Sequence, residues 1–335
     1  MLNSRADLAI QIGKQKSKSN SCVFVPSREV EIYNRLIRMN GGPLPDESVL
    51  SVFREILSST RFVEKSLSVA YLGPEGTFSY LASKEIFGSR ADYLSLESID
   101  QVFLEVKKEN SDYGVVPVEN SLEGMVTRTL DLFVDSTLKI YAEKMMPIHH
   151  SLVSRSGNLK KIKTLYTFYQ PLAQCRSWVD RNLANAKIIE VASSAEAAKR
   201  ASKNPNSGGI SNPEAAWRNK LKIVAKKIED YPNNYTRFLV ISPNASKPSK
   251  WDKTSVIFSI PHEAGSLYST LKPLSDNGIN LTKIESRPVK REAWEYLFYI
   301  DFQGHMDDPK IGRVLNKFKK STVFFKILGS YPVGL

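Results

Sequence analysis

The chain has 335 residues, 41% of them hydrophobic and 24% charged, and carries a formal charge of +12. That length calls for two or three domains, each with its own core, and the composition is that of a soluble globular protein. No apolar run approaches the roughly 20 residues that cross a bilayer, and Arg5 and Asp7 interrupt the apolar core that a signal peptide needs, so a cytoplasmic protein with no membrane partner is expected.

The positive charge attracts anions, whether nucleic acid, a membrane surface or small acidic metabolites. Basic residues are spread along the chain; the densest stretch, "KQKSKSN" at 14–20, is short and reads as a solvated helix end. Cys22 and Cys175 are far apart and in no metal or redox spacing, so no disulfide framework is expected. His149 and His150 are adjacent, which on a strand sends them to opposite faces, and His262 and His305 read as surface or loop residues. No metal and no cofactor are expected.

Taken in chain order, residues 1–66 carry helical patterns: "LAIQIGKQK", then "REVEIYNRLIRMN" closed by Gly41-Gly42-Pro43, then "DESVLSVFREILSSTRFVE" with Asp46 or Ser48 placed to cap it. Residues 67–245 alternate apolar runs ("SVAYL", "YGVVPVEN", "IKTLYTF", "AKIIEV", "RFLVIS") with helical stretches, the rhythm of an α/β domain with largely parallel strands. A polar linker, "PNASKPSKWDK" at 243–253, precedes a tail over 253–335. "SVIFSI", "GSLYSTLKPLSDNG", "INLTKIESRP", "WEYLFYIDF", "DPKIGRVLNKF" and "TVFFKILGSY" then spell βαββαβ, a ferredoxin-like order.

Charged residues of the first region fall on shared faces. Arg5 and Lys16 are 11 residues apart, and at about 100° per residue their side chains lie roughly 20° from eclipsed. Thr60 and Glu64 are four apart on the third helix. With "LNSRADLAIQIGKQK", "PSREVEIYNRLI" and "VFREILSSTRFVE", the region resembles the all-helical chorismate mutase domain, whose cations hold the two carboxylates of chorismate during a pericyclic rearrangement to prephenate. The resemblance makes Arg5, Lys16 and Arg28 the anion- and ether-contacting cations, Glu29 the carboxylate that orients the substrate hydroxyl, and Thr60 and Glu64 further site residues. Three departures stand out. The family's upstream arginine has no counterpart, because the chain starts only four residues before Arg5 and the first helix is shortened. Val25 replaces a frequent aspartate. Glu64 replaces a glutamine found in some members, and must be protonated to donate to the ether oxygen. Mutase activity is therefore expected to be weak or absent unless the natural start lies upstream.

In the central region, "YLGPEGTFS" places glycines and Thr77 between a strand and a helix, where free backbone N–H groups can cradle a carboxylate. "VVPVENS" ends a strand on Glu119, Asn120 and Ser121, and ligands of open α/β sheets sit at such strand ends. "NNYTRF" sets an amide, a hydroxyl and a guanidinium at the start of an apolar strand. In order, "GPEGTFS", "VVPVENSLEG", "YQPLAQC", "ASSAEAA", "ISNPEAA" and "NNYTRF" resemble prephenate dehydratase over the whole domain. The resemblance implies a two-lobed α/β fold like type 2 periplasmic binding proteins, and a reaction that loses water and carbon dioxide from prephenate to give phenylpyruvate. It makes Thr236 the proton donor to the departing hydroxyl, with Glu119 and Asn120 beside it. Arg237 and Asn234 are candidates for polarising Thr236 or fixing the substrate. Thr77, Ser79, Ser121, Gln170, Ser193, Ser194 and Phe238 complete the expected substrate site. Where the family often has "SHPQ" this chain has "TFYQ", with Phe168 and Tyr169, so no histidine role is expected.

In the tail, "EAGSLYSTL" and "ESRPVK" resemble the amino-acid-binding ACT regulatory domain. The resemblance implies a phenylalanine site built from Gly265, Ser266, Leu267, Asn280, Glu285, Ser286, Arg287 and Pro288, placed between two such domains of a dimer. A ferredoxin-like domain used only for dimerisation is the alternative. The whole order resembles the bifunctional chorismate mutase/prephenate dehydratases: prephenate and chorismate as substrates, phenylalanine as inhibitor, a homodimer or homotetramer, and no nucleic-acid partner. The rival reading is a non-catalytic aromatic-metabolite sensor, which has no need of Thr236 as a donor.

Overall fold

A computed structural model describes residues 1–18, 22–288 and 296–334. Ser19 and Asn20 of the basic stretch, Val289 and Lys290 of "ESRPVK", and Trp294 and Glu295 of "WEYLFYIDF" lie outside the described residues.

The head is three helices, α1 (Leu2–Lys18), α2 (Pro26–Met39) and α3 (Asp46–Glu64). Helix α1 crosses α3 closely at Gly13, where a Cβ would stand 3.2 Å from the Glu64 backbone. Neither expected cap operates on α3: its N-cap is Pro45, without a side-chain cap bond, and Asp46 instead accepts from Asn40 Nδ2 at 2.6 Å. The head is fastened to the next domain by Phe24, fully buried among Phe87, Tyr113 and Tyr141. Arg61 lies over the Phe24 ring, donates to the Phe87 carbonyl at 2.7 Å and pairs with buried Glu29. Removing one partner of a buried ion pair strands the other charge at a cost of about 3–5 kcal/mol. Arg61→Met is therefore expected to lower head stability by that order in urea unfolding, with much of the loss recovered in the Arg61→Met/Glu29→Gln double variant.

The first lobe of the central domain runs β1 (Ser68–Leu72), α4 (Phe78–Phe87), β2 (Asp92–Leu96), α5 (Ile99–Lys107), β3 (Tyr113–Asn120), β4 (Gly124–Met125), α6 (Thr127–Asp135) and β5 (Lys139–Pro147). The chain then crosses to a second lobe of β6 (Ser151–Ser154), β7 (Thr164–Thr167), α7 (Tyr169–Gln174), α8 (Arg176–Asn182), β8 (Lys187–Glu190), α9 (Ser194–Ala201), β9 (Ser207–Ser211), α10 (Pro213–Arg218) and β10 (Lys222–Lys226). It returns as β11 (Tyr235–Ser242), which inserts between β3 and β5 of the first sheet. The sheet orders are β2-β1-β3-β11-β5 and β10-β6-β9-β7-β8.

These sheets are mixed rather than largely parallel. β1 pairs parallel with β2 and β3, and β7 with β8 and β9, but β11 is antiparallel to both its neighbours and β6 to both of its own. The cause is topological: β11 and β6 are the strands entered from the other lobe, so they run against the βαβ units they join.

The tail is β12 (Asp252–Ser259), α11 (Ser266–Asp276), β13 (Leu281–Pro288), β14 (Tyr296–Gln303), α12 (Pro309–Lys320) and β15 (Phe324–Pro332), with sheet order β13-β14-β12-β15. This is the ferredoxin-like order read from the sequence. One sheet face packs its two helices through Val256, Phe258, Ile300, Phe302 and Phe318. The other face packs on the first lobe, where Ile257, Tyr299, Leu328 and Tyr331 share a core with Ile140, Leu239 and Ile241. Strand β15 approaches β5 so closely that a Cβ on Gly329 would lie 2.3 Å from the Ile140 carbonyl oxygen. His305, read from sequence as surface or loop, is buried, with Nε2 3.3 Å from the Ser246 carbonyl oxygen.

Candidate active site

A cleft of about 460 Å³ opens between the two lobes. Its walls include Thr77 and Ser79 from the loop and first turn of α4, Asn120 at the end of β3, Gln170 on α7, Ser193 and Ser194 at the start of α9, and Thr236 on β11. Two helices of opposite lobes thus begin at the cleft. Thr77 caps α4, accepting from Tyr80 N at 3.3 Å, and Ser193 caps α9, accepting from Glu196 N at 3.1 Å. Both hydroxyls serve the helix, so what each start offers a ligand is backbone N–H and the positive end of the helix dipole. The loop before α4 needs Gly76 in the left-handed region (φ +85°), and Asn212 of the second lobe donates to the Gly76 carbonyl at 2.7 Å.

The orientation of the Thr236 hydroxyl follows from a chain of hydrogen bonds whose polarity the backbone fixes. Asn120 Oδ1 accepts from the amides of Leu122 and Glu123 at 3.0 and 3.1 Å, so its Nδ2 must face the other way as a donor. Nδ2 lies 2.9 Å from Thr236 Oγ1 and 2.7 Å from Asn234 Oδ1. Thr236 Oγ1 is therefore an acceptor from the protein side, leaving its own hydrogen for the cleft. The same polarity runs on: Asn234 Nδ2 donates to Gln174 Oε1 at 2.9 Å, and Gln174 Oε1 lies 2.8 Å from His150 Nε2, which must carry the hydrogen. Gln174 Nε2 donates to Glu123 at 3.2 Å.

His150, Gln174, Glu123 and Phe78 also line the cleft. His150 is 2% exposed, its Nδ1 has no partner among the described residues, and burial lowers its pKa, outweighing Gln174 and Glu229. Its neighbour His149 instead pairs with Glu229, Nδ1 to Oε1 at 2.7 Å. The expectation of no histidine at the site followed from Phe168 and Tyr169 alone. The structure brings in a histidine from the first crossover between the lobes. The signal for Gln174 was in the sequence, one helical turn after Gln170 in "YQPLAQC".

Five expected site residues lie elsewhere. Strand alternation turns Arg237 to the face opposite Thr236. There it is 4% exposed, with Nε 2.6 Å from Glu143, Nη1 2.6 Å from Asp301 and Nη2 2.7 Å from the Tyr331 hydroxyl. Burial opposes its charge, but Tyr331, Tyr299, Asp301 and Glu143 raise its pKa. Glu119, opposite Arg237 in register, points the same way and pairs with Lys283 of β13. Phe238 is core, 2% exposed. Ser121 ties the end of β3 to β11, donating to the Asn233 carbonyl at 3.1 Å and accepting from Tyr235 N at 3.0 Å. Asn234 is fully buried behind Asn120 as a link in the chain just described.

The expected head site is divided. Arg5 and Arg28 line one groove, while Lys16 and Glu64, paired at 3.0 Å, line another against the central domain. Arg5 Nε lies 3.4 Å from Thr60 Oγ1. Glu29 faces Arg61 rather than this group, because neighbours on a helix diverge by about 100° and Arg28 takes the exposed side.

In the tail, Gly265 adopts φ +85° at the start of α11 and, with Ser266, Leu267 and Tyr268, lines a cavity of about 390 Å³ closed by Tyr296 and Phe298. Asn280, Glu285, Ser286, Arg287 and Pro288 do not line it. Arg287 docks on the central domain instead, 2.6 Å from Asp131 and 2.8 Å from the Thr127 carbonyl oxygen. Among the described residues no cluster of three or more His, Cys, Asp or Glu could hold a metal ion, and both cysteines are free.

Family models match three segments: chorismate mutase type II over residues 1–65, prephenate dehydratase over 69–246 and the ACT domain over 254–319. The chain is 44% identical to a bifunctional chorismate mutase/prephenate dehydratase of Aquifex aeolicus, over 100% of this chain and 94% of that protein. It is 43% identical to one of Neisseria gonorrhoeae, over 100% and 93%. Among solved structures it is similar to the prephenate dehydratase of Arthrobacter aurescens in complex with L-Phe, with TM-score 0.73 and 33% identity over 79% of this chain and 90% of that one.

Proposed function

This chain belongs to the bifunctional chorismate mutase/prephenate dehydratase family, and on that footing we propose that the cleft converts prephenate to phenylpyruvate with Thr236 as the donor to the departing hydroxyl. The observation that carries the role is the fixed polarity of Asn120, which leaves the Thr236 hydrogen directed at the ligand. Prephenate brings two carboxylates and one ring hydroxyl. The starts of α4 and α9, one from each lobe, supply cationic ends for the carboxylates. Thr236 donates to the ring oxygen while the electrons of the C1–carboxylate bond enter the ring. Prephenate and one proton give phenylpyruvate, carbon dioxide and water, so the reaction calls for no cofactor. Aromatisation drives it, and the protein's task is to hold one conformer and stabilise the leaving oxygen.

The finer parts of the proposal are these. The cavity at Gly265 takes phenylalanine as a feedback inhibitor, supported by the L-Phe bound to the Arthrobacter relative and by the aromatic lining of Tyr268, Tyr296 and Phe298. A second copy of the tail domain completes that cavity in a homodimer or larger oligomer. The protein acts in the cytoplasm; no described helix is long and apolar enough to cross a membrane. The head binds chorismate, with mutase turnover well below that of the dehydratase because its cations are divided between two grooves.

Purified protein supplied separately with prephenate and chorismate, with phenylpyruvate followed by absorbance, tests the two activities and the inhibition. Rapid phenylpyruvate formation from prephenate, slowed by phenylalanine, and slow formation from chorismate are expected. Binding of prephenate without phenylpyruvate would make the protein a sensor.

A further inference from the structure

The two residues of "TR" in "NNYTRF" face different domains. Thr236 faces the cleft, and Arg237, one peptide away, reaches through the first sheet into the C-terminal domain. Its guanidinium is shared: Nε bonds Glu143 of β5 in its own sheet, while Nη1 and Nη2 bond Asp301 of β14 and Tyr331 of β15. The group is closed on both sides. Ser255 of β12 bonds both Asp301 and Tyr331, Lys253 of β12 bonds Glu143 at 2.8 Å, and Lys283 of β13 pairs with Glu119. Three cations (Arg237, Lys253, Lys283) thus meet three carboxylates (Glu119, Glu143, Asp301) at the domain boundary.

Glu143 and Asp301 are 4% and 1% exposed, so neither domain can slide on the other without stranding a buried charge. Beside this junction, β3 carries a bulge: Thr236 opposes Asn120 and Arg237 opposes Glu119, but Phe238 opposes Pro117, so Val118 has no opposite residue on β11. Bulges re-aim side chains at functional sites. Here the bulge adjoins the Asn120–Thr236 pair.

We propose that Arg237 is a positioning residue through which Asp301 and Tyr331 of the C-terminal domain hold Thr236 at the cleft. This role rests on Thr236 being the donor. It gives the C-terminal domain a physical connection to catalysis: any rearrangement that displaces Asp301 from Arg237 moves the catalytic strand, and by reciprocity the state of the strand biases the tail domain.

The test uses the full chain with Asp301→Asn, and with Tyr331→Phe, which removes one hydroxyl and no charge and serves should the first variant fail to fold. The expected result is a fall in dehydratase kcat of about tenfold or more for Asp301→Asn and a smaller fall for Tyr331→Phe. KM for prephenate is expected to stay within about twofold, because the loss lies in transition-state alignment. In a Thr236→Ala background both substitutions should have little further effect on kcat, since their action runs through Thr236. A packing role alone would not produce that non-additivity. Full multiplicativity in the Thr236→Ala background, a change confined to KM, or wild-type kcat in both folded variants would overturn the proposal. The donor reading fails separately, if Thr236→Ala alone turns over normally.

Discussion

Replacing Thr236 by alanine is expected to lower dehydratase kcat by on the order of 10² or more, the range that a positioned proton donor contributes. KM for prephenate and the unfolding midpoint should change little. Thr236 is half-buried at the cleft wall and, among the described residues, its hydroxyl bonds one protein group, the Asn120 amide, so its removal leaves no charge stranded. Thr236→Ser, which keeps the hydroxyl and the bond to Asn120, is expected to retain much of the activity, the shortfall reflecting the freer χ1 of serine. A threonine is a poor acid in water, so the effect depends on alignment: the hydrogen must already point at the leaving oxygen when the carboxylate bond begins to break. Wild-type turnover in the alanine variant would remove the donor from the mechanism.

The sequence carries the parts of this arrangement that local chemistry dictates. The βαββαβ order of the tail is legible because its apolar runs and helical periods are short and cleanly punctuated. What each strand faces is less legible. "YTRFLVIS" says that Thr236 and Arg237 diverge, but not that a second domain covers the Arg237 side, because β11 and β12 are buried along nearly their whole length and neither keeps an exposed face to contrast with a covered one. Glu119 and Asn120 divide for the same reason, one toward Lys283 and one toward Thr236. Arg287 pairs with Asp131, more than 150 residues away in the chain, an interface that no local pattern specifies. His150 escapes a motif-centred reading because it lies in the crossover between β5 and β6, outside every glycine- or serine-rich signature, and enters the cleft only when the lobes are assembled.

The polarity of the Asn120 link makes a sharper claim than the presence of Thr236. In Asn120→Asp the oxygen that accepts from the Leu122 and Glu123 amides is retained, so the backbone turn is preserved. The Nδ2 donor, however, becomes a carboxylate oxygen 2.9 Å from Thr236 Oγ1 and 2.7 Å from Asn234 Oδ1. A carboxylate only accepts, so the Thr236 hydrogen turns from the cleft toward residue 120 and its lone pairs face the substrate. The oxygen that must receive a proton then meets an acceptor. The new negative charge also adjoins a dianionic ligand in a partly desolvated cleft, where like charges repel strongly. Asn120→Asp is therefore expected to lower kcat by on the order of 10² or more and to raise KM as well. Asn120→Ala, which removes the amide without reversing the bond, should be milder in both parameters. Desolvation and the neighbouring ligand charge raise this carboxyl above its ordinary pKa of about 4, so partial recovery of Asn120→Asp is expected as the pH falls toward about 5, where protonation returns a donor at that oxygen. An aspartate variant as active as the alanine variant across that pH range would show that the direction of the Thr236 hydroxyl is immaterial to the reaction.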